Sequence, residues 1–265
     1  GGVMEEDNVE MIEEITGVKV LAKVKKGDTA LDLVDFFEKF IKIVTRYWDV
    51  FLIKGLSTTL ALSAIAVFFG AIIGTLLAFG KMGKSRILRG IITAYVEIIR
   101  GTPSLLQVYV GYFVVPLLLP SLNVSTYASV AIALTINSSA YVSEVIRSGI
   151  QAVDKGQTEA ARSLGLTRSQ AMIKVVLPQA VKNIIPAIGN EMIALLKETS
   201  IISMVGATVG TLTFDLNAAS NTVFRKVPNF LASGLIAGAF YLIVVYLMVF
   251  LIKLIEKRMK ASDKR

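Results

Sequence analysis

Residues 55–79 read GLSTTLALSAIAVFFGAIIGTLLAF, and no charged side chain falls between Lys54 and Lys81. A bilayer core of about 30 Å is crossed by roughly 20 apolar residues in a helix. This stretch exceeds that length. Similar apolar runs lie at about Gly90–Leu119, Val124–Arg147, Val181–Gly206 and Phe230–Ile255, with Lys and Arg gathered in the short segments between them. The expected fold is therefore all-α: a polytopic membrane protein with five transmembrane helices. The second run contains Glu97, Arg100 and Pro103, which predicts a broken or re-entrant span.

Immediately upstream, Leu33, Phe36, Phe37, Phe40, Val44, Tyr47, Trp48 and Phe51 recur at helical spacing, with Asp35, Glu38, Lys39, Lys42 and Arg46 between them. That pattern predicts an N-terminal amphipathic helix over 35–54, lying in the membrane interface ahead of the first span. Residues 1–34 are polar and too few to hold a core of their own, so they read as an extracytoplasmic segment. Residues 55–257 then form the membrane domain, and 258–265 a basic tail.

The composition narrows the chemistry. Of 265 residues 54% are hydrophobic, and there is no histidine or cysteine; mean hydropathy is +0.66. Thiol chemistry, disulfides, imidazole acid–base work and the usual zinc ligand sets are excluded. No G-x-x-x-x-G-K-[ST] occurs, so the chain is not expected to be an ATPase. The net charge of +8 does not point to nucleic acid, because it is divided unevenly. Residues 1–54 carry 8 basic against 11 acidic side chains, and the rest carries 20 against 9.

The basic residues follow the membrane. They cluster at Lys81, Lys84, Arg86 and Arg89, again at Arg147, Lys155, Arg162, Arg168, Lys174 and Lys182, and from Lys253 to Arg265. Basic loops stay on the cytoplasmic side. The loop between the first and second spans, the loop between the third and fourth, and the tail agree with one another only if the N-terminus is outside and the C-terminus cytoplasmic.

The loop between the third and fourth spans, about 156–179, is too long for a passive connection. Gly156 to Ser163 reads as a short helix stopped by Gly165. Thr167 and Gln170 form a capping box that starts a second helix, and Pro178 is expected to break it before the fourth span. Ala160 and Ala161 would let a partner approach closely.

Here the sequence resembles the EAA-motif permeases of ATP-binding-cassette (ABC) importers, in their polar-amino-acid branch. Glu159-Ala160-Ala161, Gly165 and Leu177-Pro178 match the motif, preceded by Lys155-Gly156-Gln157. Further matching segments are Thr58-Thr59-Leu60, YVEIIRGTP over 95–103, NSSAYVSEVIR over 137–147, Gly189-Asn190-Glu191 and LKETS over 196–200. Departures are Ser104 and Val175, where the branch commonly has Leu and Ile, and the N-terminal segment, whose residues 18–31 faintly resemble the end of a fused binding domain.

The resemblance implies an ATPase-coupling role for Gly156, Gln157, Glu159, Ala160, Ala161, Gly165, Leu177 and Pro178. It implies two copies of an ABC ATPase subunit, a second permease copy, identical or related, an extracytoplasmic amino-acid-binding protein, and a prokaryotic inner membrane. No cofactor is expected on this chain; ATP and Mg belong to the partner ATPase.

Charges in hydrocarbon are expensive and face the interior of a bundle. A zwitterionic substrate needs a cation, an anion and hydrogen-bonding groups. Glu97, Arg100, Asn137, Ser138, Tyr141, Glu144 and Glu191 can supply them, and form the expected substrate pathway. The competing structural use is that Glu97–Arg100 and Glu144–Arg147 neutralise each other at helical spacing, with Arg147 and Lys197–Glu198 at the cytoplasmic ends. The rival function is an ion-gradient-driven secondary transporter or channel, although no inverted repeat is evident. A membrane-embedded enzyme lacks a catalytic set.

Overall fold

A computed structural model describes residues 33–118, 120, 123–205 and 214–261. The N-terminal readings on residues 1–32 lie outside these. All described elements are helical. The chain divides into residues 1–39 and 40–265. In the first unit the described part opens helix α1 (Leu33–Asp49), with Lys39 on Asp35 at 2.7 Å.

The expected joint between the amphipathic helix and the first span is absent. From α1 the backbone passes through a π-helical turn, Val50–Leu56, straight into α2 (Ser57–Met82). Nothing in the sequence breaks the ladder there, and Gly55 serves packing instead. A Cβ on Gly55 would lie 3.0 Å from Ala219 Cβ and 3.1 Å from Leu216 Cα. Phe51 is buried and stacks on Phe240 at 6.0 Å.

The second span is broken as its sequence predicts. Helix α3 (Arg86–Gly101) meets α4 (Ser104–Tyr109) at an angle of 103°, and the path continues through a π turn to α5 (Val115–Leu118). The third span is α6 (Thr126–Gln151), and α7 (Lys155–Ser163) follows it. Pro178 does not break the next helix. α8 (Arg168–Ala171), a π turn over Met172–Val176 and α9 (Leu177–Glu198) run on as one helix. Pro178 directly follows the π turn, at the start of the α-helical stretch Leu177–Glu198, and the helix continues through it. A 3-10 turn over Thr199–Val205, then α10 (Leu216–Lys226) and α11 (Phe230–Ala261), complete the order. Among the described residues four helices are long and apolar enough to cross a membrane, and there are up to five spans if the bent pair counts as one.

Helix α2 packs chiefly on α6. The crossing is close because Gly70 and Gly74 have no side chains: a Cβ on Gly70 would lie 2.5 Å from Ser138 Oγ, and one on Gly74 2.8 Å from the Ser139 carbonyl. Without a hydrophobic drive in lipid, such small-residue contact is what holds helices together. One core cluster gathers Leu62, Ala66, Val108, Leu134, Leu195 and Ile202, and another, toward the coupling loop, Ala78, Val142, Ile146, Val176 and Ile184. Helix α11 is largely uncovered, with Leu242, Ile243, Tyr246 and Phe250 exposed, as a helix facing lipid would be.

Candidate coupling loop and translocation path

The loop between α6 and α9 is built by its ends. Asp154 caps α7, accepting from the Gly156 N–H at 2.7 Å. At the far end the Leu166 N–H donates to the Ala161 carbonyl at 3.2 Å and the Gly165 N–H to the Arg162 carbonyl at 3.0 Å. This is a Schellman closure, and it requires Gly165 at φ +89°. The Thr167 box is present: its hydroxyl accepts from the Gln170 N–H at 3.3 Å, and the Thr167 N–H donates to Gln170 Oε1 at 2.9 Å. So two caps face each other across three residues and hold α7 against α8.

This frame sorts the motif residues by face. Ala161 and Ala171 are buried inward. Gly156, Gln157, Glu159 and Ala160 are exposed outward, and Leu164 keeps 82% of its surface. Gln179 Nε2 donates to the Val175 carbonyl at 3.0 Å and to Gln157 Oε1 at 3.3 Å, tying α7 to the base of the fourth span. Leu177 is half-buried beside the exposed Pro178.

Inside the membrane part the expected residues separate into two groups. Glu144 is already held: Lys81 Nζ lies at 2.7 Å and Arg147 Nη2 at 2.6 Å from its carboxylate. The Glu144–Arg147 pair expected from helical spacing is therefore joined by Lys81, which ties α2 to α6. Ser138 is buried against the Gly70 crossing. Asn137 is buried too, and donates to Gln107 Oε1 at 2.9 Å.

The other group converges. Glu97 and Arg100 do not pair. Instead Arg100 leaves its own helix face and lies over the Tyr141 ring at 5.2 Å. Glu191, half-buried on α9, interacts electrostatically with Arg100 and with Glu198. Arg100, Tyr141 and Glu191 thus come from the second, third and fourth spans, while Glu97 is exposed on α3. Lys197 and Glu198 end α9, at the opposite end from the loop between α6 and α9.

Two polar residues that sequence reasoning passed over organise this region. Gln107 repairs the broken span: its Nε2 lies 2.7 Å from the Ile99 carbonyl, 3.1 Å from the Thr102 carbonyl and 2.8 Å from Thr102 Oγ1. Backbone freed in a membrane must find such partners. A lone Gln four residues after Pro103 was the available signal.

The second is Asp215, fully buried at the start of α10, accepting from the Asn217 and Ala218 N–H groups at 3.0 and 3.1 Å. Tyr241 OH donates to it at 3.4 Å, and Thr59 Oγ1 accepts from the Leu216 N–H at 3.1 Å. Burial raises its carboxyl to about 7. An Asp ahead of a helix was legible as a cap, but its burial was not.

Comparison with known proteins gives consistent results. The family model described as binding-protein-dependent transport system inner membrane component matches residues 49–261. A putative glutamine transport system permease protein of Rickettsia conorii is 44% identical over 223 residues, covering 84% of this chain and 98% of that protein. An arginine transport system permease protein of Bacillus subtilis is 38% identical, covering 80% and 94%. A crystal structure of an amino acid ABC transporter with histidines superposes with a TM-score of 0.70 at 37% identity, covering 89% and 100%. An inward-facing methionine ABC transporter shares the fold, with a TM-score of 0.63 at 21% identity, covering 79% and 96%.

Proposed function

The chain belongs to the family of binding-protein-dependent transport system inner membrane components, and we propose that it is the permease subunit of an ABC importer carrying polar amino acids inward. The observation that carries this reading is α7: a helix capped at both ends, tied to the fourth span, and turning Gly156, Glu159, Ala160 and Leu164 outward. Such a helix suits transmission of force from a partner.

The relatives named for glutamine and arginine support a polar amino acid as substrate. Arg100 offers a cation for its carboxylate, Glu191 an anion for its ammonium, and Tyr141 a ring beside Arg100. Asn137, through Gln107, keeps the broken span in shape beside them. Glu97 completes the proposed pathway lining, while Ser138 and Glu144 are taken up by the α2–α6 contact.

Two ATPase subunits bind the coupling loops of this chain and of a second permease copy, because ABC ATPases work as dimers. A binding protein delivers the amino acid on the outer side, where the N-terminus lies; the C-terminus is cytoplasmic. ATP and Mg are held by the ATPase. Closure of the ATPase pair pulls α7, and through Gln157–Gln179 the base of the fourth span, switching the cavity from inward-open to outward-open.

The test is ATPase activity in liposomes holding this chain with a candidate ATPase subunit, with and without Glu159→Lys. A binding protein loaded with each polar amino acid is added in turn. Stimulation by one amino acid, lost in the variant, is the expected result. If the ATPase does not co-purify and uptake follows an imposed ion gradient, the importer reading fails.

A further inference from the structure

On the face that carries the coupling loop, a groove of about 990 Å³ lies between the end of α2, the segment after it, the end of α6 and α8. Lys81, Lys84, Arg89, Arg147 and Arg168 line it. Glu144 engages Lys81 and Arg147 from the side. Arg89 donates only to the Gly83 carbonyl, at 2.8 Å, and Lys84 and Arg168 are exposed. Five cations against one carboxylate leave a strong local positive charge.

The rest of the lining is apolar. Phe79, Ile173 and Leu177 border the groove, with Phe79 42% and Ile173 61% exposed. These residues sit at the ends of α2 and of the fourth-span helix, beside the basic groups of the groove. A free phosphate satisfies the cations and leaves Phe79 and Ile173 bare. A phospholipid covers both, and basic pockets between spans are suited to anionic headgroups.

We propose that this groove binds one anionic phospholipid, its phosphate among Lys84, Arg89 and Arg168 and its chain along Phe79 and Ile173. The bound lipid bridges the segment after α2 to α8, which packs on α7. It therefore ties the coupling loop to the end of the first span, and makes coupling depend on membrane composition. This does not rest on the identity of the transported substrate.

The experiment titrates the full chain, delipidated in detergent, with dioleoyl phosphatidylglycerol or dioleoyl phosphatidylcholine, read by native mass spectrometry. The anionic lipid is expected to bind more tightly. Lys84→Gln/Arg168→Gln, which leaves the Glu144 cluster whole, weakens it about 30-fold, while Lys84→Arg/Arg168→Lys does not. Ile173→Gln weakens long-chain lipid and leaves binding of glycerol 3-phosphate unchanged. Equal affinity for the two lipids overturns the proposal, as does indifference to the double Gln variant. Displacement by inorganic phosphate at equal concentration makes it a soluble-anion site and overturns the lipid. Loss of ATPase co-purification with lipid binding intact assigns the groove to the protein partner, and overturns it too.

Discussion

Gly74→Ala measures how much of this fold depends on the α2–α6 crossing. The added methyl would meet the Ser139 carbonyl at 2.8 Å, the Ser143 nitrogen at 3.0 Å and Val142 Cβ at 3.0 Å. Two of these are backbone atoms of a buried helix, so no rotamer change relieves them. The helices must separate by roughly half an ångström, and overpacking of this kind costs about 1–3 kcal/mol. Alanine recovers about 1 kcal/mol of helix propensity, leaving a net loss of up to about 2 kcal/mol.

For a chain of this size that is a fall of up to several degrees in Tm, at about 2–4 °C per kcal/mol. Gly70→Ala, one turn away, meets Ser138 Oγ at 2.5 Å and Cβ at 2.7 Å. One separation relieves both sites, so the double variant should lose less than the sum of the two. Gly90 on α3 has nothing within 4 Å of a built Cβ, and Gly90→Ala should be neutral or slightly stabilising. The assay is thermal unfolding of the purified chain in detergent. If Gly74→Ala unfolds with Gly90→Ala and wild type, the close crossing is not what holds these helices.

Three further outcomes are expected. Asp215 has its carboxyl raised from 3.8 to about 7, so the folded chain holds a proton the unfolded chain has lost; stability falls as pH rises across that window, by up to about 1.4 kcal/mol per pH unit. Asp215→Asn keeps the cap and should flatten that slope in unfolding curves measured from pH 4 to 8. Glu144→Gln leaves Lys81 and Arg147 facing each other and should cost about 1–2 kcal/mol, less than a fully buried pair because the groups are partly solvated; denaturant unfolding reads it. Gly165→Ala forces a side chain into φ +89°, at about 1–2 kcal/mol, and should loosen ATP hydrolysis from transport in liposomes without changing expression.

The legible parts of the site were those written locally. The Thr167–Gln170 box, the Gly165 stop and the Pro103 break each depend on a few neighbouring residues, and each formed as its sequence predicts. Pro178 was misread because a π turn over Met172–Val176 precedes it and the helix continues through it. The competing use in which Glu97 and Arg100 neutralise each other did not form, because spacing gives reach, not choice. Arg100 had Tyr141 on another helix to cover it. Asp215 and Gln107 were missed because each depends on a partner distant in sequence, Tyr241 for one and Asn137 for the other.

By itself the sequence determined the long apolar helices, the break in the second span, the capped turn between α7 and α8 and the charge bias of the loops. These follow from hydrophobic length, turn chemistry and the cost of carrying cations across a bilayer, all properties of short segments. Only the tertiary structure decided which polar groups are occupied and which converge. It placed Lys81 on Glu144, closed α2 on α6 over two glycines, and drew Arg100, Tyr141 and Glu191 together from three spans. In an apolar surrounding a polar group takes whichever partner packing brings within reach, and that partner is set by helix crossings no local pattern encodes.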